Sequence, residues 1–140
     1  MSTELAPYPS ALTHRSIDRR LSGVPLELGE GKASVRLETS AEMAADELGL
    51  VHGGFIFSCA DYAAMLAVNR PTVVLGAAEV RFLKPVVVGE TLVAWARVEE
   101  VAGRKCQVAV QIVRGSETVF TGTFTAFVPE RHVLDSEVPA

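Results

Sequence analysis

The sequence predicts an α+β fold in which one long buried helix is wrapped by a mostly antiparallel sheet of five or six strands. Residues 54–68 are apolar on nearly every side and rich in Ala, Met and Leu, which favours a helix about 22 Å long. Extended segments lie on both sides of this run, separated by turns that contain glycine and proline. Because so apolar a helix needs cover on several sides, we expect one sheet and a second copy of the chain to enclose it.

The other elements are predicted from alternating hydrophobicity and from turn residues. Residues 1–13 carry two prolines and no regular pattern, so we expect a loose N-terminal arm. Residues 129–140 are polar, and we expect a C-terminal tail that frays. The length of 140 residues supports a single domain at residues 1–140. The predicted elements are a short helix within residues 14–21 and strands at residues 25–28, 32–39, 72–82, 90–101, 104–114 and 118–128.

Composition argues against several classes of function. The formal net charge of -4 and a pI near 5.4 argue against nucleic acid as the main partner. The longest apolar run is shorter than the roughly 20 residues of a membrane span and contains Asp61, so we expect no membrane insertion. The N-terminus lacks the basic and apolar stretches of a secretory signal. Cys59 and Cys106 lie in separate apolar stretches, so we expect reduced, buried thiols in a cytoplasmic protein.

Asp61 is the single charged residue of the predicted helix and the first candidate for chemistry. An ionised carboxylate is costly in an apolar setting unless something pairs with it or uses it. The helix opens on His52-Gly53-Gly54, where the first amides have no intrahelical acceptor and glycine allows a ligand to approach the backbone. These amides are suitable donors to a polarised carbonyl. Alternatively, the glycines form only a tight loop, and Asp61 is satisfied by Tyr62 or the backbone, or faces an oligomer interface.

Residues 46–61 resemble the hot-dog-fold thioesterases, in particular the PaaI-like branch of phenylacetic acid degradation. The family pattern is Asn-x-x-Gly-x-x-His-Gly-Gly followed by an apolar helix with an acid nine residues after the histidine, as at His52 and Asp61. Residues 81–85, followed by Gly89-Glu90, are similar to the strand and turn that come next in that family. The resemblance covers roughly residues 20–128 and implies the hot-dog fold.

The resemblance implies a hydrolase that splits an aryl- or medium-chain acyl-CoA into free acid and CoA, with no metal and no cofactor. The backbone amide of Gly53 would polarise the thioester carbonyl, and Asp61, which the partner subunit supplies in this family, would act as general base or nucleophile. His52 would help to shape the loop. The expected assembly is a homodimer as the active unit and a homotetramer overall. The substrate-binding residues that we expect are Gly54, Ser58 and Met65.

The chain departs from the family pattern at side chains that orient the carbonyl or the hydrolytic water. Asp46 stands where the family has Asn or Gln, so it is a further catalytic candidate; a second buried acid near Asp61 would raise the pKa of one of the two. Alternatively, Asp46 points to solvent. Met65 stands where some relatives have Thr, and Ser58 or Thr72 could substitute for it. These departures keep a non-catalytic acyl-CoA binding protein as the alternative function.

Other chemistry has less support in the sequence. His14, His52 and His132 are scattered and the cysteines form no CxxC pair, so we expect no metal site. A hot-dog dehydratase would need a histidine paired with an acid, and a DNA-binding regulator would need a segment longer than the roughly twenty residues before the first strand. Basic residues near strand ends could neutralise the phosphates of CoA or could simply be solvated. They are Arg81, Lys84, Arg104, Lys105 and Arg114.

Overall fold

One six-stranded antiparallel sheet packs around a central helix, as predicted, in a computed structural model that describes residues 11–135. The central helix spans Gly53–Val68. A short helix at Arg19–Ser22 precedes the sheet, and a 3₁₀ turn at Ala41–Met43 follows the second strand. The strands, β1 to β6 in chain order, are Val24–Gly29, Lys32–Glu38, Val74–Phe82, Thr91–Ala102, Lys105–Arg114 and Glu117–Phe127.

The order of strands across the sheet is β1-β2-β4-β5-β6-β3. The chain leaves β2, passes through the central helix and returns as β3 at the far edge, where β3 pairs with β6. Because β3 is an edge strand, one of its sides has no strand partner among residues 11–135. The middle of β3 is exposed at Ala77, Ala78 and Glu79.

The hydrophobic core lies between the central helix and the inner face of the sheet. The helix packs mainly against β2, β4 and β5. Alternate strand residues such as Val35, Ile112 and Phe124 are fully buried there, together with Cys59 and Leu66 of the helix. Burying one such large apolar side chain contributes roughly 1.5–3 kcal/mol, so this face of the helix anchors the fold.

The predicted strands agree with the observed ones to within two residues, and the helix begins one residue earlier than predicted, at Gly53. The predicted loose arm does not extend to residue 13, because Ala11 and Thr13 are buried and the amide of Leu12 donates to Asn69 Oδ1 at 2.8 Å. Residues 1–10 of the predicted arm and residues 136–140 of the predicted tail lie outside the described residues.

Both cysteines are buried and free, as predicted. Burial raises the pKa of the Cys59 thiol to about 12, which makes Cys59 a poor nucleophile. No helix within residues 11–135 has the length and hydropathy that a membrane span needs.

Candidate active site at the start of the central helix

The approach loop, residues 44–52, leads into the central helix. Its turn is closed by hydrogen bonds to the side chain of Asp46, which belongs to the loop itself. Asp46 Oδ1 accepts hydrogen bonds from the amides of Leu48 at 3.0 Å and Leu50 at 3.1 Å. The amide of Ala45 donates to the carbonyl of Leu50 at 2.7 Å. An Asp or Asn side chain commonly closes a turn in this way. The carboxylate of Asp46, an exposed residue, therefore has an observed structural role in the loop, and its predicted catalytic role gains no support from these contacts.

Backbone hydrogen bonds fix the approach loop against the rest of the protein. The amide of Val51 donates to the carbonyl of Val86 at 2.8 Å, and the amide of Val88 donates to the carbonyl of Gly49 at 2.9 Å. One residue before the helix, the amide of His52 donates to the carbonyl of Met43 at 2.9 Å. The position of the helix start is therefore set by the loop at residues 85–90 and by the 3₁₀ turn.

The first two amides of the central helix are open. His52 is the N-cap residue, with φ −64 and ψ 132, and its side chain makes no capping hydrogen bond. Within the described part of the chain, the amides of Gly53 and Gly54 have no hydrogen-bond acceptor. The His52 ring lies against Gly54, because a Cβ added at Gly54 would meet His52 Nε2 at 2.8 Å. Two donors at the positive end of a helix dipole are thus available to an external acceptor.

An apolar pocket of about 290 Å³ opens beside Gly53. The side chain nearest to Gly53 is the ring of Phe82, since a Cβ added at Gly53 would lie 3.3 Å from Phe82 Cε2. Phe82 packs edge-on to Phe120 with 5.1 Å between ring centroids, yet it remains 51% exposed. An apolar wall beside the free amide lowers the local dielectric constant and strengthens any hydrogen bond made there. The other lining residues are Leu50, Val51, Ile56, Leu83, Lys84, Pro85 and Val86.

Asp61 is a half-buried acid without a hydrogen bond at one of its oxygens. Its Oδ1 is buried and has no hydrogen-bond donor among residues 11–135, so the alternative in which Tyr62 or the backbone satisfies this oxygen is not observed. Burial raises the pKa of Asp61 from 3.8 to about 6. A carboxylate with this pKa is mostly ionised at pH 7 and is a stronger base than an ordinary carboxylate.

The predicted substrate-binding side chains flank Asp61 in different ways. Ser58 lies one turn before Asp61, and its Oγ is 2.7 Å from the Oγ of Ser22, which holds Ser58 against the short helix. Met65 lies one turn after Asp61 and is fully buried in the core, so its side chain does not reach the surface of the protomer. Neither Ser22 nor Phe82 was a predicted site residue: nothing in the sequence pointed to Ser22, whereas Phe82 lies within the segment of residues 81–85 that supported the resemblance.

Gly53 and Asp61 do not meet within one protomer. Asp61 follows Gly53 by eight residues, which corresponds to about 12 Å along the helix axis. The face of the helix that carries Asp61 is only partly covered, because Phe57 and Ser58 also remain partly exposed. In the described chain, no group of three or more His, Cys, Asp or Glu side chains is close enough to hold a metal ion.

Known structures share this fold. The profile of the thioesterase superfamily matches residues 48–121. The uncharacterized protein PH1136 of Pyrococcus horikoshii is 57% identical, and its crystal structure matches with a TM-score of 0.88 over 89% of this chain and 95% of that chain. A point mutant of the phenylacetic acid degradation protein PaaI from Thermus thermophilus is 30% identical, with a TM-score of 0.72 over 78% of this chain and 95% of that chain.

Curated relatives match over only part of their length. Methylthioribose-1-phosphate isomerase of Aquifex aeolicus is 54% identical over 112 residues, which are 80% of this chain but 25% of that protein. Transcription factor FapR of Caldanaerobacter subterraneus is 32% identical over 111 residues, which are 79% of this chain and 55% of that protein. The chain thus spans a quarter to about half of these two proteins, whose names describe longer molecules. The family profile, the strand order and the PaaI match together confirm the predicted resemblance: the chain belongs to the thioesterase superfamily and has its hot-dog fold.

Proposed function

We propose that this chain is an acyl-CoA thioester hydrolase that converts an aryl- or medium-chain acyl-CoA and water into the free acid and CoA. The observation that carries this proposal is a helix with a free amide at Gly53, beside an apolar pocket, and a half-buried carboxylate at Asp61 whose pKa is raised to about 6. The amide is the donor that a thioester carbonyl needs, and the carboxylate is the base or nucleophile that its hydrolysis needs.

The active unit that we propose is a homodimer. About 12 Å separate Gly53 from Asp61 along the helix, so the two groups of one protomer are too far apart to act on the same carbonyl. Two central helices that lie side by side and antiparallel would bring Gly53 of one protomer close to Asp61 of the partner subunit. The partly covered helix face and the unpaired edge of β3 support this arrangement. A homotetramer and a cytoplasmic location remain predictions.

The chemistry follows from these two groups. Asp61 takes a proton from water while the hydroxide oxygen bonds to the thioester carbon, and the negative charge that develops on the carbonyl oxygen is stabilised by the Gly53 amide. The carbon–sulfur bond then breaks, and the CoA sulfur receives the proton from Asp61. If Asp61 is instead the nucleophile, its oxygen bonds to the thioester carbon while the carbon–sulfur bond breaks and CoA leaves as the thiolate. Water then hydrolyses the resulting anhydride to the free acid and regenerates Asp61, and one proton of that water passes to the CoA sulfur. Losing one donor to the developing oxyanion typically costs about 3–4 kcal/mol of barrier.

The surrounding residues suggest how the substrate is held. The pocket between Gly53 and Phe82 is the proposed place for the acyl group, and the edge-to-face pair of Phe82 and Phe120 supports a preference for an aryl group. The ring of His52 lies against Gly54 and helps to shape the loop. We assign Asp46 to closure of the approach loop, because its carboxylate already accepts two amide hydrogen bonds.

A non-catalytic acyl-CoA binding protein is the second candidate. It is favoured by the contacts of the side chains that were predicted to orient the hydrolytic water beside Asp61. The hydroxyl of Ser58 is already hydrogen-bonded to that of Ser22, and Met65 is buried in the core. Thr72, the remaining candidate, donates its hydroxyl to the carbonyl of Pro129 at 2.6 Å. The match to a protein named as a transcription factor also supports a role without turnover.

Release of free thiol from a panel of aryl, short-chain and long-chain acyl-CoAs separates these candidates. We expect turnover by the wild-type protein, and a loss of about 10²- to 10⁴-fold in Asp61→Ala, because the base is removed. Asp46→Asn is the matched control: it keeps the oxygen that accepts the loop amides, so we expect turnover close to wild type. Tight binding of acyl-CoA by calorimetry, with no turnover in any form, would instead establish the binding protein.

A further inference from the structure

We infer that Arg114, the last residue of β5, is a positioning residue that holds the Gly53 amide in place; this inference rests on the proposed function. Both terminal nitrogens of its guanidinium donate hydrogen bonds. Arg114 Nη1 donates to the carbonyl of Pro85 at 2.8 Å and to Glu90 Oε1 at 2.9 Å, while Nη2 donates to Glu117 Oε1 at 2.7 Å. These contacts leave Arg114 poorly placed for the phosphate binding that the sequence allowed.

The first step of the chain of contacts runs from Arg114 to the loop at residues 85–90. Glu90 Oε1, which Arg114 holds, also accepts the amide of Val87 at 2.9 Å. On the opposite side, the hydroxyl of Thr39 donates to the carbonyl of Glu90 at 2.7 Å. Pro85 is held directly by the guanidinium. The loop is thus fixed at both ends, and Arg114 is the side chain that contacts both Pro85 and Glu90.

The second step runs from that loop to the helix start. The carbonyl of Val86 accepts the amide of Val51, and the amide of Val88 donates to the carbonyl of Gly49, so two backbone hydrogen bonds join the loop to the approach loop. Val51 is two residues before Gly53 in the chain. Pro85 and Val86 also line the pocket beside Gly53. A shift of residues 85–90 would therefore move the amide and the pocket wall together.

The charges around Arg114 stabilise its hydrogen bonds to the loop at residues 85–90. Hydrogen bonding by Arg114 lowers the pKa of Glu117, and the Val87 amide, with a further contribution from Arg114, lowers the pKa of Glu90. Both acids therefore stay ionised at neutral pH. The guanidinium is planar and presents its donors in fixed directions, so it can reach a carbonyl and two carboxylates at once. A lysine ammonium, with one nitrogen, cannot reproduce these contacts from the same position.

Replacing Arg114 should have a large effect on catalysis although its side chain does not contact the reacting atoms. A misplacement of about 1 Å caused by a change remote from the reacting atoms can cost about 100-fold in rate. We therefore expect Arg114→Gln to lower kcat by about 10- to 100-fold, with a smaller loss in Arg114→Lys. KM should change less than kcat, because the donor acts mainly on the developing oxyanion. The midpoint of the pH–rate profile should stay near 6, because Asp61 is not touched.

Arg36→Gln is the matched control for this experiment. Arg36 is also a strand arginine, lies in β2, is ion-paired with Glu38 at 3.6 Å and makes no contact with residues 85–90. We expect wild-type kcat in this variant. In parallel, the ¹H–¹⁵N resonances of Gly53 and Gly54 should shift in Arg114→Gln and stay in place in Arg36→Gln. This second measurement needs no turnover, so it decides the positioning role even if wild-type protein hydrolyses no acyl-CoA and the proposed function fails.

Two results would overturn the inference. One is an Arg114→Gln protein with wild-type kcat and unshifted Gly53 and Gly54 amides. The other is an equal loss of kcat in the Arg114 and Arg36 variants, which would indicate general destabilisation. If Arg114→Gln does not fold at the assay temperature, Arg114→Lys takes its place, and the same two readouts decide the outcome.

Discussion

The two halves of the central helix have similar apolar composition but opposite surroundings. In the first half, residues 53–61, Gly54 is exposed and Asp61 only half-buried, and the side chain of the N-cap residue His52 makes no capping hydrogen bond. In the second half, residues 62–68, every residue except Val68 is buried. The C-terminus is closed by Asn69, whose amide donates to the carbonyl of Met65 at 2.8 Å. The closed half contributes stability, whereas the open half leaves polar groups free for a ligand or a second protomer.

Besides the sheet, part of the cover over the second half comes from residues that precede the first strand. The ring of His14 stacks on Tyr62 with 6.1 Å between centroids, and the amide of Leu12 donates to Asn69 Oδ1. No equivalent segment within the described chain covers Asp61 Oδ1 with a donor. One helix thus carries a structural half and a reactive half, and substitutions in the two halves should have different consequences.

After the loss of the Asp61 carboxylate itself, the largest effect is expected from removing the open amide of Gly53. Gly53→Pro deletes the N–H but is compatible with the helix, because proline is favoured at the first helical position and His52 already has the extended conformation that precedes proline. We expect kcat for acyl-CoA hydrolysis to fall by about 10²- to 10³-fold.

Gly53→Ala is the control for that prediction. It keeps the amide and adds a Cβ 3.3 Å from Phe82 Cε2, so the ring must shift by a few tenths of an ångström. We expect this variant to retain far more activity than Gly53→Pro. Equal kcat values in the two variants would show that the amide is not the donor.

A second effect concerns the stability of the open half as a function of pH. Below its ordinary pKa of 3.8, Asp61 is protonated in both the folded and the unfolded chain and has no effect on stability. As the pH rises from there through about 6, Asp61 ionises at a lower pH in the unfolded chain than in the folded protein. The wild-type protein therefore loses on the order of 3 kcal/mol of unfolding free energy. Asp61→Asn removes this loss. Its stability relative to wild type, from urea unfolding at fixed protein concentration, should therefore increase between pH 4 and 7; a difference independent of pH would contradict the prediction.

The smallest effect is expected at the closed end. Asn69 has φ 50, a left-handed conformation that costs other non-glycine residues about 1–2 kcal/mol. Asn69→Ala should lower the free energy of unfolding by about that amount, plus roughly 0.5–1.5 kcal/mol for the lost hydrogen bond from the Leu12 amide. Asn69→Gly also loses this hydrogen bond but should lose less in total, because glycine adopts the left-handed conformation freely. The kcat per folded protein should stay at the wild-type value in both. A loss of kcat in either variant would mean that the closed half also takes part in catalysis.

Most of the fold could be predicted because it depends on local patterns. Alternation with a period of two located the strands, and an apolar run with strong helix formers located the central helix. The pairing of β3 with β6 at the edge of the sheet was not predicted, because strand order depends on contacts between distant segments. The same limit explains the end of the arm: nothing in the sequence near residue 12 indicates that its amide donates to Asn69.

The candidate site, too, could be predicted only where it depends on a local pattern. Gly53 and Asp61 were identified from the spacing of a local motif, and the free amide and the raised pKa of Asp61 agree with the roles that we propose for them. The role of Asp46 in closing the loop, the burial of Met65 and the contacts of Arg114 could not be derived from that spacing. They depend on which way each side chain points once the sheet has closed on the helix.

Local patterns were enough to locate the central helix, the strands and the two chemically distinctive groups on the helix, because periodicity, glycine and a lone charge act over a few residues. Three other features become visible only in the packed fold: which half of the helix is covered, which oxygen of Asp61 is left without a donor, and how Arg114 reaches a loop 24 to 29 residues earlier in the chain. Those features depend on packing and long-range hydrogen bonds, which no local pattern records.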